Sequence, residues 1–428
     1  MKKLFTLIIL SIHFLSHSQT SNFIHTNGKY IIGPCGDTLT LRGVNYAPYN
    51  WGYTLSDLKI NQIALSGANT VRIAWYAAST QTIYSNYVAL DSVLSKCIQA
   101  KLIPILEIHD FTCANNTASL TAGANWFTSS NVLPILNKYK HSLIVNIANE
   151  ALHVMWASNP STALNTYKTT YQNIITNLRS VSGFDFPLMI DAPDCGQNTG
   201  AFTTSTTATN LISFDPKHNL IFSAHAYWYG YASNDSLQMA TKINSVLAQN
   251  IPFVLGEIAN LQDDVSMCQY TLNYQPLLNY CKTQKVSWLS WVWDHDGCSA
   301  RQITTNGNFN SLTSYGNTIL NNINFGLNTN PSLKSKYLTT NLSCPIITSI
   351  TNNETLNKFY IYPNPSNGEF YLNEKINKEN LKVVNAIGQE INFDLINQNQ
   401  IKLLSNKGVY FLQINTEKGN QLIKLINL

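Results

Sequence analysis

The stretch SLIVNIANE (residues 142–150) decides the fold. Leu143, Ile144, Val145 and Ile147 form a nearly continuous apolar run, the pattern of a strand covered on both faces. The run ends in an amide beside a carboxylate, Asn149-Glu150. A carboxylate at the end of a buried strand is unfavourable unless something engages it. In a closed (β/α)8 barrel the strand C-termini open onto one face, where such groups collect. Working outward, a second run, IPFVLGEI (251–258), ends the same way at Glu257. Six further apolar runs complete a regular series at 39–45, 69–75, 102–109, 187–192, 220–225 and 286–293. The segments at 55–67, 90–101, 132–139, 163–180, 236–249 and 275–283 suit helices. Strands alternating with helices over roughly 300 residues predict an α/β chain built on a (β/α)8 TIM barrel. A doubly wound open sheet usually brings a Gly-rich phosphate loop after its first strand, and none occurs here.

The 428 residues leave room for one large and one small domain, and 44% hydrophobic residues suffice for a sizeable core. A net charge of +4 without a basic stripe argues against nucleic acid as a partner. Residues 1–18 read as a signal peptide. Lys2 and Lys3 precede an apolar stretch at 4–15, and Ser16 and Ser18 offer a small-residue cleavage site. That stretch is too short to span a bilayer and holds His13, so no membrane span is expected. Export makes disulfides expected among the eight cysteines, with Cys268 and Cys281 close enough in sequence for a local bridge. No CxxC pair occurs, so no structural zinc is expected. Composition shifts after the catalytic segment at 20–324. Residues 325–356 read as a linker, and 357–428 as a small all-β sandwich with no catalytic constellation and no aromatic row.

Two buried strands that each end in Glu fit the hydrolysis of a glycosidic bond. One carboxyl group gives a proton to the leaving oxygen and the other attacks, or activates water. By strand parity both Glu150 and Glu257 point into the barrel mouth. Arg72 lies mid-strand in NTVRIAW and needs a carboxylate partner, for which Glu257 is the natural choice. His225 and Tyr227 (HAYWY) share a face, placing Tyr227 toward Glu257 and His225 toward the acid or the sugar. Glu107 is the rival carboxylate. Glu107, His109 and Asp110 lack metal-ligand spacing, so no metal and no cofactor are expected. Trp291 and Trp293 share parity on the last strand and suit subsite walls, whereas Trp288 suits the core. Trp51, Trp75, Trp126, Trp156 and Trp228 are weaker candidates for a cleft lining. Asp294 and Asp296 suit either substrate contact or a solvated loop.

With these residues placed, the chain resembles glycoside hydrolase family 5, of clan A, and within it the bacterial β-mannanases. The matches run in order: LRGVN (41–45), ANTVRI (68–73), PILEIHD (104–110), VNIANE (145–150), HAY (225–227), VLGE (254–257) and WLSWVW (288–293). The resemblance implies a retaining double displacement with Glu150 as acid/base and Glu257 as nucleophile. It implies that Asn149 holds the 2-hydroxyl, that Arg72, His109, His225, Tyr227 and Trp291 support the site, and that no cofactor is needed. It makes a β-mannan the expected substrate, with a β-1,4-glucan as the alternative and a non-catalytic glycan-binding protein as a third reading. The chain departs from the family where Ala151-Leu152 follows Asn149-Glu150 in place of Pro, and where Asp294-His295-Asp296-Gly297 follows the Trp strand. The tail is similar to the sorting domains of type IX secretion substrates, through YPNPSNGEF (362–370) and GVYFLQI (408–414). That likeness implies export through secretion machinery to the cell surface or medium, and a monomer is expected.

Overall fold

A computed structural model describes residues 22–49, 54–227, 233–262, 268–344, 359–385, 388–416 and 419–428. The segment read as a signal peptide, Trp51 and Trp228 lie outside them. The chain divides into two compact units, Met1–Pro345 and Ile346–Leu428.

The first unit is a closed barrel of eight parallel strands. They are β1 (Arg42–Tyr46), β2 (Thr70–Trp75), β3 (Ile103–Ile108), β4 (Ile144–Asn146), β5 (Leu188–Asp191), β6 (Leu220–Ala226), β7 (Phe253–Ile258) and β8 (Ser287–Ser290). Each pairs with the next in parallel, and β8 closes the ring on β1 in the register Trp288↔Arg42. Every strand residue is buried. That is why these strands read as continuous apolar runs rather than as alternation. Helices cover the outside through amphipathic faces. Pro160–Arg179, for example, buries Leu164, Tyr167, Tyr171, Ile174, Ile175 and Leu178, and Asn159 caps its start by accepting from Thr162 N at 3.1 Å.

Two expectations need correction here. The stretch read as linker begins too early. Phe325 and Leu327 are fully buried in the barrel's core, Lys336–Thr339 is a helix, and Cys344 is bridged to Cys35. Asn- and Thr-rich sequence hid a segment held by three apolar anchors, Phe325, Leu327 and Leu338, and a covalent bond. Cys268 pairs with Cys298 instead of Cys281. Cys281 is a buried free thiol on the core side of the helix Tyr274–Gln284, as Cys97 is on Tyr87–Gln99. A third bridge joins Cys113 to Cys195.

The second unit pairs two antiparallel sheets. One holds Ile361–Tyr362, Glu369–Leu372, Gln400–Leu403 and Phe393–Ile396; the other holds Leu381–Asn385, Gly408–Thr416 and Gly419–Asn427. Phe370, Leu372 and Ile401 from the first sheet and Val383, Leu412 and Leu425 from the second share one core, so the unit is the expected sandwich. It does carry a short aromatic row: Tyr362 faces Tyr371 across the strand pair at 6.1 Å, with Tyr360 at 6.3 Å from Tyr362. Among the described residues no helix is long and apolar enough to cross a membrane.

Candidate active site

The strand C-termini bring together most of the residues that the sequence singled out. Arg72 on β2 is wholly buried and is the hub. Its Nη1 donates to Glu257 Oε1 at 2.8 Å and to Asn45 Oδ1 at 3.0 Å. Its Nε donates to Asn146 Oδ1 at 2.8 Å, and its Nη2 to Asn149 Oδ1 at 2.7 Å and Asp191 Oδ2 at 3.2 Å. Glu107 Oε2 lies 3.5 Å from Nη1. Burial alone would disfavour the charge on Arg72, but Glu107, Asp191 and Glu257 outweigh it and raise its pKa further. The fixed planar fork of guanidinium lets one cation hold groups from five other strands in register.

Glu257 lies within β7, and a shift in strand register there, next to Gly256, aims it inward. One oxygen takes the Arg72 bond and the other accepts from Tyr227 Oη at 2.9 Å. Glu150 lies just past the end of β4 in a left-handed backbone conformation (φ 53°), which a side chain adopts only when its surroundings hold it there. Its amide donates to Asp191 Oδ2 at 3.3 Å, and its Oε1 accepts from His225 Nδ1 at 2.7 Å. Oxygens of Glu150 and Glu257 come within 4.8 Å of each other, with His225 beside both.

His225 sits among anions. Its Nδ1 is 3.7 Å from Glu257 Oε2 and its Nε2 is 3.4 Å from Asp191 Oδ2. Burial pushes its pKa down, but Glu257 and Asp191 outweigh that and raise it to about 10, so the ring is an imidazolium at neutral pH. Burial likewise opposes ionisation of Asp191, yet His225 and Arg72 bring its pKa down to about 2. At the cleft wall, His109 donates to Glu107 at 2.9 Å and stacks on Trp291 at 5.7 Å and 12°. Burial lowers the pKa of His109 and Glu107 more than restores it. Trp291 Nε1 donates to Asp296 Oδ2 at 2.9 Å, and Asp296 is also forked to Arg301.

Arg72, His109, Asn149, Glu150, His225, Tyr227, Glu257 and Trp291 therefore lie together at this end of the barrel. Trp293 does not. It is fully buried and donates to Gly307 O at 2.9 Å, which makes it core packing and not a subsite wall. The parity argument failed because β8 ends at Ser290, before either tryptophan. Glu107 is no rival acid, since it is spent on His109 and Arg72. The sequence reading missed Asp191, which touches Arg72, His225, Asn146 and the Glu150 amide. It stands at the end of the apolar run PLMID, the same signal that exposed the two glutamates. Asn45 and Asn146 were missed as well, although polar residues inside buried strands mark such positions.

Residues 33–297 match the family described as Cellulase (glycosyl hydrolase family 5). The chain belongs to glycosyl hydrolase family 5. This hydrolase is 28% identical over 304 residues to a mannan endo-1,4-beta-mannosidase of Streptomyces lividans, which covers 69% of this chain and 73% of that protein. It is 28% identical over 329 residues to a mannan endo-1,4-beta-mannosidase of Cellvibrio japonicus, covering 74% and 70%. Its barrel also resembles the β-mannanase of Thermomonospora fusca, with a TM-score of 0.63 at 22% identity, covering 74% of this chain and 99% of that one. Residues 360–427 match a second family, the secretion system C-terminal sorting domain, so this family 5 enzyme is exported, to the medium or the cell surface.

Proposed function

We propose that the chain is a secreted retaining endo-β-1,4-mannanase, with β-mannan as its substrate and type IX secretion machinery as the partner of its tail. The observation that carries the mechanism is the pair Glu150 and Glu257, with oxygens within 4.8 Å of each other. Retaining glycosidases place their carboxyl groups roughly 5–5.5 Å apart, whereas inverting ones leave a wider gap for water. Glu257 has its charge compensated by Arg72 and oriented by Tyr227, which suits attack on the anomeric carbon. As its oxygen bonds to that carbon, Glu150 gives its proton to the departing glycosidic oxygen. Glu150 then takes a proton from water, which attacks the glycosyl-enzyme, releases Glu257 and restores the original configuration. Asn149, fixed by Arg72 and by its own bond to Thr112 at 3.0 Å, suits the 2-hydroxyl of the sugar at the cleavage point. The stacked pair Trp291 and His109 offers a flat face for a pyranose ring. The relatives named as mannan endo-1,4-beta-mannosidases support mannan over glucan. The site is complete within one chain, which fits a monomer.

The test is oligosaccharide release by the full chain from linear mannan, glucomannan, galactomannan, carboxymethylcellulose and xylan, with Glu257→Ala as the blank. Internal cleavage of mannan, absent in the variant, is the expected result. Activity on carboxymethylcellulose alone would keep the chemistry and overturn the substrate. No activity on any polymer would remove the proposal.

A further inference from the structure

A buried aspartate–arginine fork stands at each end of the barrel. Arg179 ends the helix Pro160–Arg179, and its Nε and Nη2 donate to Asp215 Oδ1 at 2.8 Å and Oδ2 at 3.0 Å. The two residues precede β5 and β6, so this fork lies at the strand N-termini, away from the cleft. Its other bonds among the described residues go to backbone. Arg179 donates to Phe184 O and Phe186 O, and Asp215 accepts the amides of Lys217 and Asn219. Asp296 and Arg301 form the second fork, at 2.7 Å and 2.9 Å, with side chains 9% and 4% exposed. It stands beyond β8, at the strand C-termini, and it touches side chains of the site.

Asp296 Oδ2, the oxygen bonded to Arg301 Nε, also accepts from Trp291 Nε1 at 2.9 Å. Its Oδ1 accepts from the Cys298 amide at 3.3 Å. The loop that carries Asp296 is closed at its neck, where Val292 N donates to Arg301 O at 3.2 Å and Ile303 N to Val292 O at 2.9 Å. The Cys268–Cys298 bridge fastens it, and so does Asn260 Nδ2, which donates to Ala300 O at 3.0 Å. Arg301 Cζ lies 5.9 Å from the centre of the Tyr227 ring. A guanidinium over an aromatic face is attracted by the ring's quadrupole. Arg301 is thus held between Asp296 and the tyrosine that donates to Glu257.

The torsion about the Cβ–Cγ bond of a tryptophan is soft, and a face contact alone lets the ring slide. Stacking on His109, with 12° between the planes, sets the tilt of the Trp291 face. A hydrogen bond at Nε1 lies in the ring plane, so it fixes the remaining rotation within that plane. The acceptor is a carboxylate, which makes the bond stronger than one between neutral groups. A bare carboxylate there would add an anion beside a cleft that already holds Glu107 and Glu257. The Arg301 guanidinium cancels that charge, and its planar fork orients both oxygens of Asp296.

We infer that Asp296, braced by Arg301, is a positioning residue that fixes the orientation of Trp291 as the wall of a sugar subsite. This rests on the reading of Trp291 as that wall. From sequence, Asp296 suited either substrate contact or a solvated loop. A nearly buried carboxylate that already takes bonds from Arg301, Trp291 and the Cys298 amide fits neither.

The test is a double-mutant cycle on the full chain, read as KM for mannopentaose, a quantity that does not depend on how much of a preparation is folded. Asp296→Ala is expected to raise KM about 10-fold, with kcat, corrected for the folded fraction, within about 3-fold of wild type. Asp296→Asn keeps an acceptor for the indole and should recover most of that loss. Trp291→Ala/Asp296→Ala should have the KM of Trp291→Ala alone, because Asp296 acts through the ring. Additive losses, as from an Asp296 that meets the sugar itself, would overturn the inference. Wild-type KM in Asp296→Ala would overturn it too. Asp215→Asn breaks the fork at the other end, and should lower the melting temperature without moving KM. If it raised KM as much as Asp296→Ala, the effect would be a general loosening of the barrel and the inference would fall. Wild-type KM in Trp291→Ala would remove the reading of that ring as a wall, and this inference with it. If Trp291→Ala raises KM and Asp296→Ala does not, only the role of Asp296 falls.

Discussion

The charge on His225 makes the stability of the barrel depend on pH in a calculable way. The folded ring has its pKa raised from 6.5 to about 10 by Glu257 and Asp191, against the opposing effect of burial. A group whose folded pKa is raised contributes stability that is fully present below 6.5 and is lost as pH rises through 10. Between these values the folded state holds one more proton than the unfolded chain, so unfolding free energy falls by about 1.4 kcal/mol per pH unit. From pH 7 to pH 9 the loss is about 2.7 kcal/mol, equivalent to roughly 4 °C in the melting temperature of a unit of this size. The buried thiols Cys97 and Cys281 have pKa values pushed up by burial, so they add their own loss as the unfolded chain's thiols ionise. The informative quantity is therefore the difference between wild type and His225→Gln. Urea unfolding of both, followed by tryptophan fluorescence at pH 6, 7, 8 and 9, should give a steep decline for wild type and a much shallower one for the variant. The variant starts from lower stability, because Glu150 and Asp191 lose their cationic neighbour, but only the slope decides. Parallel slopes would refute the assignment of an imidazolium buried among three carboxylates.

Three other perturbations test separate parts of the site. Arg72→Met leaves Glu107, Asp191 and Glu257 buried without their cation, and is expected to cost about 3–5 kcal/mol in urea unfolding as well as nearly all activity. Tyr227→Phe removes one hydrogen bond to the Glu257 carboxylate, and kcat/KM on mannan should fall by about 10- to 100-fold with the melting temperature nearly unchanged. Trp291→Ala should raise KM for mannan, whereas Trp293→Phe should lower stability by about 1–3 kcal/mol and leave KM alone, as expected if one ring lines the cleft and the other fills the core.

Much of this site was readable because burial leaves few reasons for a charged residue to stand on a parallel strand. Glu150, Glu257 and Arg72 each violate the apolar pattern of their runs, and the structure puts Arg72 on Glu257. Asp191 obeyed the same rule and was passed over because its run was counted only as a strand. The failures share a different cause. Trp293 was placed by a two-residue period that stops where β8 stops, at Ser290. Cys268 was paired by nearness along the chain, while the fold brings it to Cys298 and turns Cys281 inward. The stretch after residue 324 looked like a linker because Phe325, Leu327, Leu338 and a cysteine, with scattered hydrogen bonds to backbone carbonyls, fasten it at irregular intervals, and such anchors leave no periodicity to detect. Pairwise contacts between distant segments, unlike strand and helix periods, have no signature in local sequence.

The bond between Cys35 and Cys344 closes a circuit of 309 residues, and its second half-cystine lies just before the junction of the two units. A tension applied through the tail reaches that sulfur before it reaches any barrel strand. From there it divides between the covalent bond to the turn at Cys35 and the chain that precedes residue 344. A protease acting after residue 344 likewise releases the tail without loosening the ring. The bridge ties the end of the catalytic unit back to its beginning, so the ring is closed off covalently before the tail begins.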